Sequence, residues 1–336
     1  MARQWVSTGL PVPTVGGVTN LRGALAAISF GGDIFILTNS NGSITAGPNL
    51  YRSVGGTAAF TAVADIPQNG SSQYAQTFSD LIVYGGSLYG WSNSETMLFK
   101  WNGSNAWIFV GQGDLVGSFP AGAIVWSTYI LLNAHGRMNY SDGTFVSLAH
   151  DFGFDYVEGG QMAITAGGDV YAGSSSGRLF RRTNAGVYSE LIATQLNGMG
   201  YSVPFILGSS VYAVMQNGRI YQYTGAGVWT QIIGDTVAGS IGVCHALVDS
   251  GILYMGIQAE ANNVGGQLYS WDGVAGACSL LSARYSNYDN IGQVFKHGSR
   301  LMAIAYRYNS NQPIALLEYR DAGGGGVFMP AFVGSI

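Results

Sequence analysis

The sequence predicts an all-β fold: one seven-bladed β-propeller of four-stranded antiparallel blades spanning residues 1–336. Three observations predict it. A long segment of the chain repeats, the repeat recurs at the length of one blade, and each copy alternates apolar and polar residues between glycine-rich turns.

The repeat is plainest between Gly167–Tyr188 and Leu207–Trp229, which read turn, strand, turn, strand, turn, strand with conservative exchanges. The column after the central turn holds Leu50, Leu98, Met138, Leu179, Ile220, Leu268 and Leu316, at steps of about 40 to 48 residues. The preceding strand also recurs, at Ile34-Phe35, Leu88-Tyr89, Tyr129-Ile130, Val170-Tyr171, Val211-Tyr212, Leu253-Tyr254 and Leu301-Met302. A further apolar segment lies ahead of each, and those near Val125, Ile164 and Phe205 are expected to line the axis. An aromatic residue opens most last strands (Phe60, Trp107, Phe145, Tyr188, Trp229, Phe328), and Cys278 interrupts that column. One such unit cannot bury both of its faces, whereas seven around an axis bury each against two neighbours.

Closure of the ring has two candidates. Gln4–Gly9, inside an N-terminal segment 1–20, reads as a last strand, and so does Val327–Phe332 in the C-terminal segment 321–336. The N-terminal strand is favoured, because it joins both chain ends in one blade.

Charged residues are 10% of the chain, and 14 Lys+Arg stand against 18 Asp+Glu. No basic excess exists to displace counterions from a phosphate backbone, so nucleic acid is not an expected partner. No apolar run reaches the length of a membrane span, and the first residues carry no signal-peptide core. Cys244 and Cys278 are too few for a disulfide framework and lack zinc-ligand spacing.

The four histidines, His135, His150, His245 and His297, fall at unrelated repeat positions without metal-ligand spacing, and they read as turn or core residues. Asp151, Asp155, Glu158 and Asp289 show no paired-carboxylate pattern, and no calcium loop, phosphate loop or nucleophile elbow is present. The expectation is therefore a chain with no catalytic residues, no metal and no cofactor.

One chemical regularity remains. Arg137, Arg178 and Arg219 follow the glycine of the central turn in three successive repeats. A propeller places equivalent turns on one face, and the blade-joining loops 66–76, 111–120, 150–160 and 283–290 open there too. The last loop carries Arg284, Tyr285 and Tyr288. These six residues are the candidate binding surface, with arginine forks and tyrosine platforms. The bland reading is that arginine is copied with the repeat and pairs with nearby acids.

Gly31-Gly32, Gly85-Gly86 and Gly167-Gly168 before the second strand, the tyrosine after it, and Trp107 or Trp229 in the last strand resemble kelch-type propellers. The low charge and the abundance of Gly, Ser, Asn and Tyr resemble structural proteins of tailed-bacteriophage virions. That resemblance implies a non-enzymatic binding or assembly module, made in the host cytoplasm and built into a symmetric particle. Its partners would be other virion proteins or a host-surface glycan. A carbohydrate-binding propeller is the second reading, with Trp101, Trp107, Trp229 and Trp271 as stacking candidates, and a glycosidase-like propeller the third.

Overall fold

The computed structural model describes residues 3–12, 26–37, 50–63, 78–92, 97–104, 106–113, 122–134, 137–151, 159–174, 177–192, 202–215, 218–234, 242–258, 267–274, 276–281, 290–306 and 314–321. Blade 1 is Ala27–Phe30, Asp33–Leu37, Leu50–Ser53 and Thr61–Ala62 (β2 to β5). Blade 2 is Phe78–Tyr84, Ser87–Ser92, Met97–Trp101 and Trp107–Gln112 (β6 to β9). Blade 3 is Gly122–Trp126, Tyr129–Ala134, Arg137–Ser141 and Ser147–Asp151 (β10 to β13). Blade 4 is Gly159–Ile164, Val170–Ser174, Leu179–Arg182 and Tyr188–Ile192 (β14 to β17). Blade 5 is Ser202–Leu207, Ser210–Met215, Ile220–Gly225 and Val228–Ile233 (β18 to β21). Blade 6 is Gly242–Asp249, Ile252–Gln258, Gln267–Trp271 and Ser279–Leu280 (β22 to β25). Blade 7 is Asn290–His297, Arg300–Tyr306 and Ile314–Asp321 (β26 to β28), completed on its outer side by Arg3–Val12 (β1).

Within each blade every neighbouring pair is antiparallel. The first strands β2, β6, β10, β14, β18, β22 and β26 pack each against the next, and β26 against β2, so the ring is continuous. The chain is a seven-bladed propeller, as its repeat predicts.

The core is divided in the same way. Seven apolar clusters fill the seven seams between neighbouring blades. In the seam of blades 1 and 2, Phe35 and Leu37 meet Leu88, Phe99 and Trp101. In the seam of blades 5 and 6, Phe205 and Tyr212 meet Trp271. Each fully buried large apolar side chain contributes roughly 1.5–3 kcal/mol. The column Leu50, Leu98, Met138, Leu179, Ile220, Leu268, Leu316 is buried in every blade, because it sits mid-blade on the third strand.

Gly85-Gly86 turn the first hairpin of blade 2 with φ of 53° and 71°. Both values lie in the left-handed region where glycine carries no steric penalty. Blade 3 lacks the double glycine, and Ser127 takes φ 52° at the same turn.

Strand β1 runs against β28 from Arg3↔Asp321 to Val12↔Ile314, with an irregularity between Ser7 and Pro11. Trp5 packs on Tyr319 at 5.3 Å with the rings tilted by 33°, and is buried in the seam with blade 6 beside Tyr254 and Leu268. Val327–Phe332 lies outside the described residues. Among the described residues no helix is long and apolar enough to cross a membrane.

Candidate functional site

An antiparallel blade puts its first-to-second and third-to-fourth turns on one face, here the hairpin face. The strand ends that lead from the second strand to the third, and from one blade to the next, lie on the other, the loop face. Arg137 opens β12, while Arg178 and Arg219 stand immediately before β16 and β20, so all three occupy the same level of successive blades. Arg178 is engaged within its own blade. Its Nε and terminal nitrogen donate to the two carboxylate oxygens of Glu190 on β17, at 2.5 and 2.8 Å. Its backbone carbonyl accepts the Ser202 hydroxyl of blade 5 at 2.8 Å. Arg284, Tyr285 and Tyr288 lie outside the described residues.

The first strands hold a polar set that sequence reasoning missed. They align on Ser29, Val83, Val125, Ile164, Ile206, Val248 and Lys296, paired with Ile34, Leu88, Ile130, Val170, Val211, Leu253 and Leu301 of the second strands. Three residues upstream stand Ala26, Asp80, Gly122, Gln161, Val203, His245 and Gln293. The register shifts by one residue at this level in β6, β14, β22 and β26, the four strands that carry the polar residues. Strands β2, β10 and β18 pair without a shift. A bulge re-aims a side chain, and here Asp80, Gln161 and Gln293 reach first strands of other blades.

An innermost strand has an unpaired edge facing the axis, and its N–H groups need acceptors. Asp80, Gln161 and Gln293 supply three of them. Gln293 Oε1 accepts the Ala27 N–H of blade 1 at 2.6 Å. Asp80 accepts Leu81 N–H at 2.8 Å on one oxygen and Ala123 N–H of blade 3 at 3.1 Å on the other. Gln161 accepts Ala246 N–H of blade 6 at 3.0 Å and donates to the Ala246 carbonyl at 2.6 Å.

A second tier of ties lies at the last residue of the first strands. The Tyr84 hydroxyl donates to the Thr128 carbonyl of blade 3. Trp126 Nε1 donates to the Gly168 carbonyl of blade 4 at 2.7 Å. Lys296 pairs with Asp249 across blades 6 and 7 at 2.9 Å. His297 Nδ1 shares a hydrogen with the Ser29 hydroxyl of blade 1 at 2.8 Å.

Two titratable groups on the axial wall are shifted in opposite directions. Asp80 is half-buried by area, but protein atoms crowd its carboxyl. Burial pushes it up to about 7, against the two N–H donors that favour its charge. Burial pushes His245 down to about 4, and its Nδ1 is enclosed without a hydrogen-bond partner. Among the described residues, no group of three or more His, Cys, Asp or Glu is placed to hold a metal.

The tryptophans singled out for sugar stacking are mostly core residues. Trp101, Trp107 and Trp271 are buried, and Trp101 packs on Trp107 at 5.3 Å inside a seam. His150 stacks on Tyr188 of blade 4 at 4.1 Å.

By sequence, the chain matches no described protein family and no curated protein. By structure it is similar to a streptogramin B lyase, with a TM-score of 0.66 at 11% identity over 95% of this chain and 98% of that one. It is similar to virginiamycin B lyase from Staphylococcus aureus, with a TM-score of 0.64 at 9% identity over 92% and 98%. It is also similar to YCF48 bound to a D1 peptide, with a TM-score of 0.63 at 10% identity over 94% and 97%. At such identities the likeness establishes the fold alone.

Proposed function

We propose that this chain is a non-enzymatic binding or assembly ring, kelch-like in its repeats, and a structural component of a tailed-bacteriophage virion. One observation carries the non-enzymatic part of the reading. Asp80, Gln161 and Gln293, three of the polar side chains of the axial wall, act as acceptors for backbone N–H groups of other blades, so they tie the blades together. Arg178 is likewise tied to Glu190. A ring stiffened at two levels suits a part that presents loops to fixed neighbours. Among similar folds, YCF48 bound to a peptide is a propeller that engages a protein segment. The virion assignment rests on composition: 10% charged residues with 51 Gly and 20 Tyr.

The test is mass spectrometry of particles purified by density gradient from cells expressing the chain. The reading expects the chain in the particle at a fixed, symmetry-compatible copy number. Its absence from particles, with the chain soluble in the lysate, would contradict it.

A further inference from the structure

Blade 3 differs from blades 1, 4, 5 and 7 at one place. On the hairpin face of those four blades, the residue beside the first hairpin faces a third-strand partner through polar chemistry. Asp33 meets Arg52 at 2.7 Å, Asp169 meets Arg181 at 3.0 Å, Ser210 meets Gln222 at 3.2 Å and Arg300 meets Glu318 at 3.8 Å. In blade 3 the same two positions are Tyr129 and Tyr140, edge to face at 5.4 Å and 90°. The rings continue in both directions. Trp126 lies 6.3 Å from Tyr129 at 18°, and Phe145 lies 5.6 Å from Tyr140 at 89°.

These four rings remain within reach of solvent. Trp126, Tyr129 and Tyr140 are half-buried, and Phe145 is 38% exposed, whereas Trp107 at Phe145's repeat position is 3% exposed. The array is also held in place. The Trp126 indole N–H is fixed on Gly168, and the Arg182 guanidinium sits 4.0 Å above the ring. Gly143 at φ +90° sits over the Tyr89 hydroxyl, where a Cβ would come within 2.5 Å, so the turn beside Phe145 is seated on blade 2.

The fringe of the array is hydrogen-bonding. Ser127, Thr128, Asp142 and Thr144 are exposed around it. Asp142 accepts the Thr144 N–H and hydroxyl at 2.8 and 2.6 Å, and these bonds hold its carboxyl below the usual carboxylate range. An occupant of this surface must therefore offer C–H faces to rings and hydroxyls to polar groups in alternation. A pyranose does both, because it carries a C–H face and a rim of hydroxyls together.

We propose that the hairpin face of blade 3 is a saccharide-binding site, with Tyr129, Tyr140 and Phe145 as the stacking platform, Trp126 as the support against which Tyr129 packs, and Asp142 as a hydroxyl acceptor. The site is independent of the virion reading: particle composition and sugar binding can each fail while the other holds.

The test is a titration of the purified chain with neutral hexasaccharides of glucose, mannose and N-acetylglucosamine at millimolar concentration, read by tryptophan fluorescence and calorimetry. At least one should bind and change the fluorescence, and Trp126→Phe should abolish that change. Phe145→Ser removes an exposed ring and leaves the seams intact, and Tyr129→Ser removes the slot. Each should weaken binding roughly tenfold, the loss of about 1.4 kcal/mol, at an unchanged melting temperature. Three results would overturn the proposal: no binding by any hexasaccharide, full binding by both folded variants, or binding of decaproline in place of every sugar.

Discussion

Gln161 of blade 4 hydrogen-bonds both the N–H and the C=O of Ala246 in blade 6, and so crosses in front of blade 5. The reason lies in blade 5 itself. Its residue at the level of Ala27, Ala123 and Ala246 is Pro204, which has no N–H to donate. The side chain that would tie blade 4 to blade 5 ties it to the following blade instead. Blades 4 and 5 are joined further out, where Ser202 donates to the Arg178 carbonyl.

Removing that chord should weaken the ring. Gln161→Ala deprives the Ala246 N–H and C=O of their partner, at a cost of about 1–3 kcal/mol. Urea unfolding should show a lower midpoint with an unchanged slope. An unchanged midpoint would mean that the chord does not hold the blades.

Asp80 and His245 give opposite pH dependences. The Asp80 carboxyl is raised from 3.8 to about 7, so the folded chain holds that proton more tightly than the unfolded one. Its contribution is full below pH 3.8 and is lost as pH rises through about 7. His245 is depressed from 6.5 to about 4, so its contribution is present above 6.5 and is lost as pH falls through about 4. The two slopes oppose each other in the shared window between about 4 and 6.5. Across it the melting temperature of Asp80→Asn should rise with pH more steeply than that of the parent chain. That of His245→Gln should fall with pH relative to the parent. Parallel curves for all three proteins would refute the assignment.

The N-terminal strand should behave as a latch. Trp5→Ala leaves a cavity in the seam of blades 6 and 7, at a cost of about 3–5 kcal/mol. Limited proteolysis should then cut first near the N-terminus. Equal protease resistance of variant and parent would show that β1 contributes little to closure.

Arg178→Ala should have a small effect on stability. Its pair with Glu190 is partly solvated, at 24% and 27% side-chain exposure, and a pair of that kind contributes about 0–1 kcal/mol. Loss of partner binding at unchanged melting temperature in a triple variant of Arg137, Arg178 and Arg219 would identify the loop face as the docking surface. Normal binding would place docking elsewhere.

The blades were legible because burial repeats. Leu50, Leu98, Met138, Leu179, Ile220, Leu268 and Leu316 all sit in seams that tolerate only apolar side chains, so their spacing survives divergence. The axial ties were not legible as a column, because the same position holds Ala26, Gly122 and Val203 in the other three blades. A signal did exist: Asp80, Gln161, His245 and Gln293 are polar residues amid the apolar runs of their strands. The tryptophans misled for a related reason. Trp107, opening the fourth strand of blade 2, faces a seam and fills the core, while the half-buried Tyr129 and Tyr140 occupy a slot that is polar in blades 1, 4, 5 and 7.

Asp80, Gln161 and Gln293 of the axial wall bind the blades to one another. Residue-resolved amide hydrogen exchange at Ala27, Ala123 and Ala246 tests it most directly. The structure predicts protection equal to that of amides inside the sheets, lost at Ala123 in Asp80→Ala, at Ala246 in Gln161→Ala and at Ala27 in Gln293→Ala. Fast exchange at all three sites in the parent chain, unchanged in the variants, would contradict the account and leave those side chains open to a ligand.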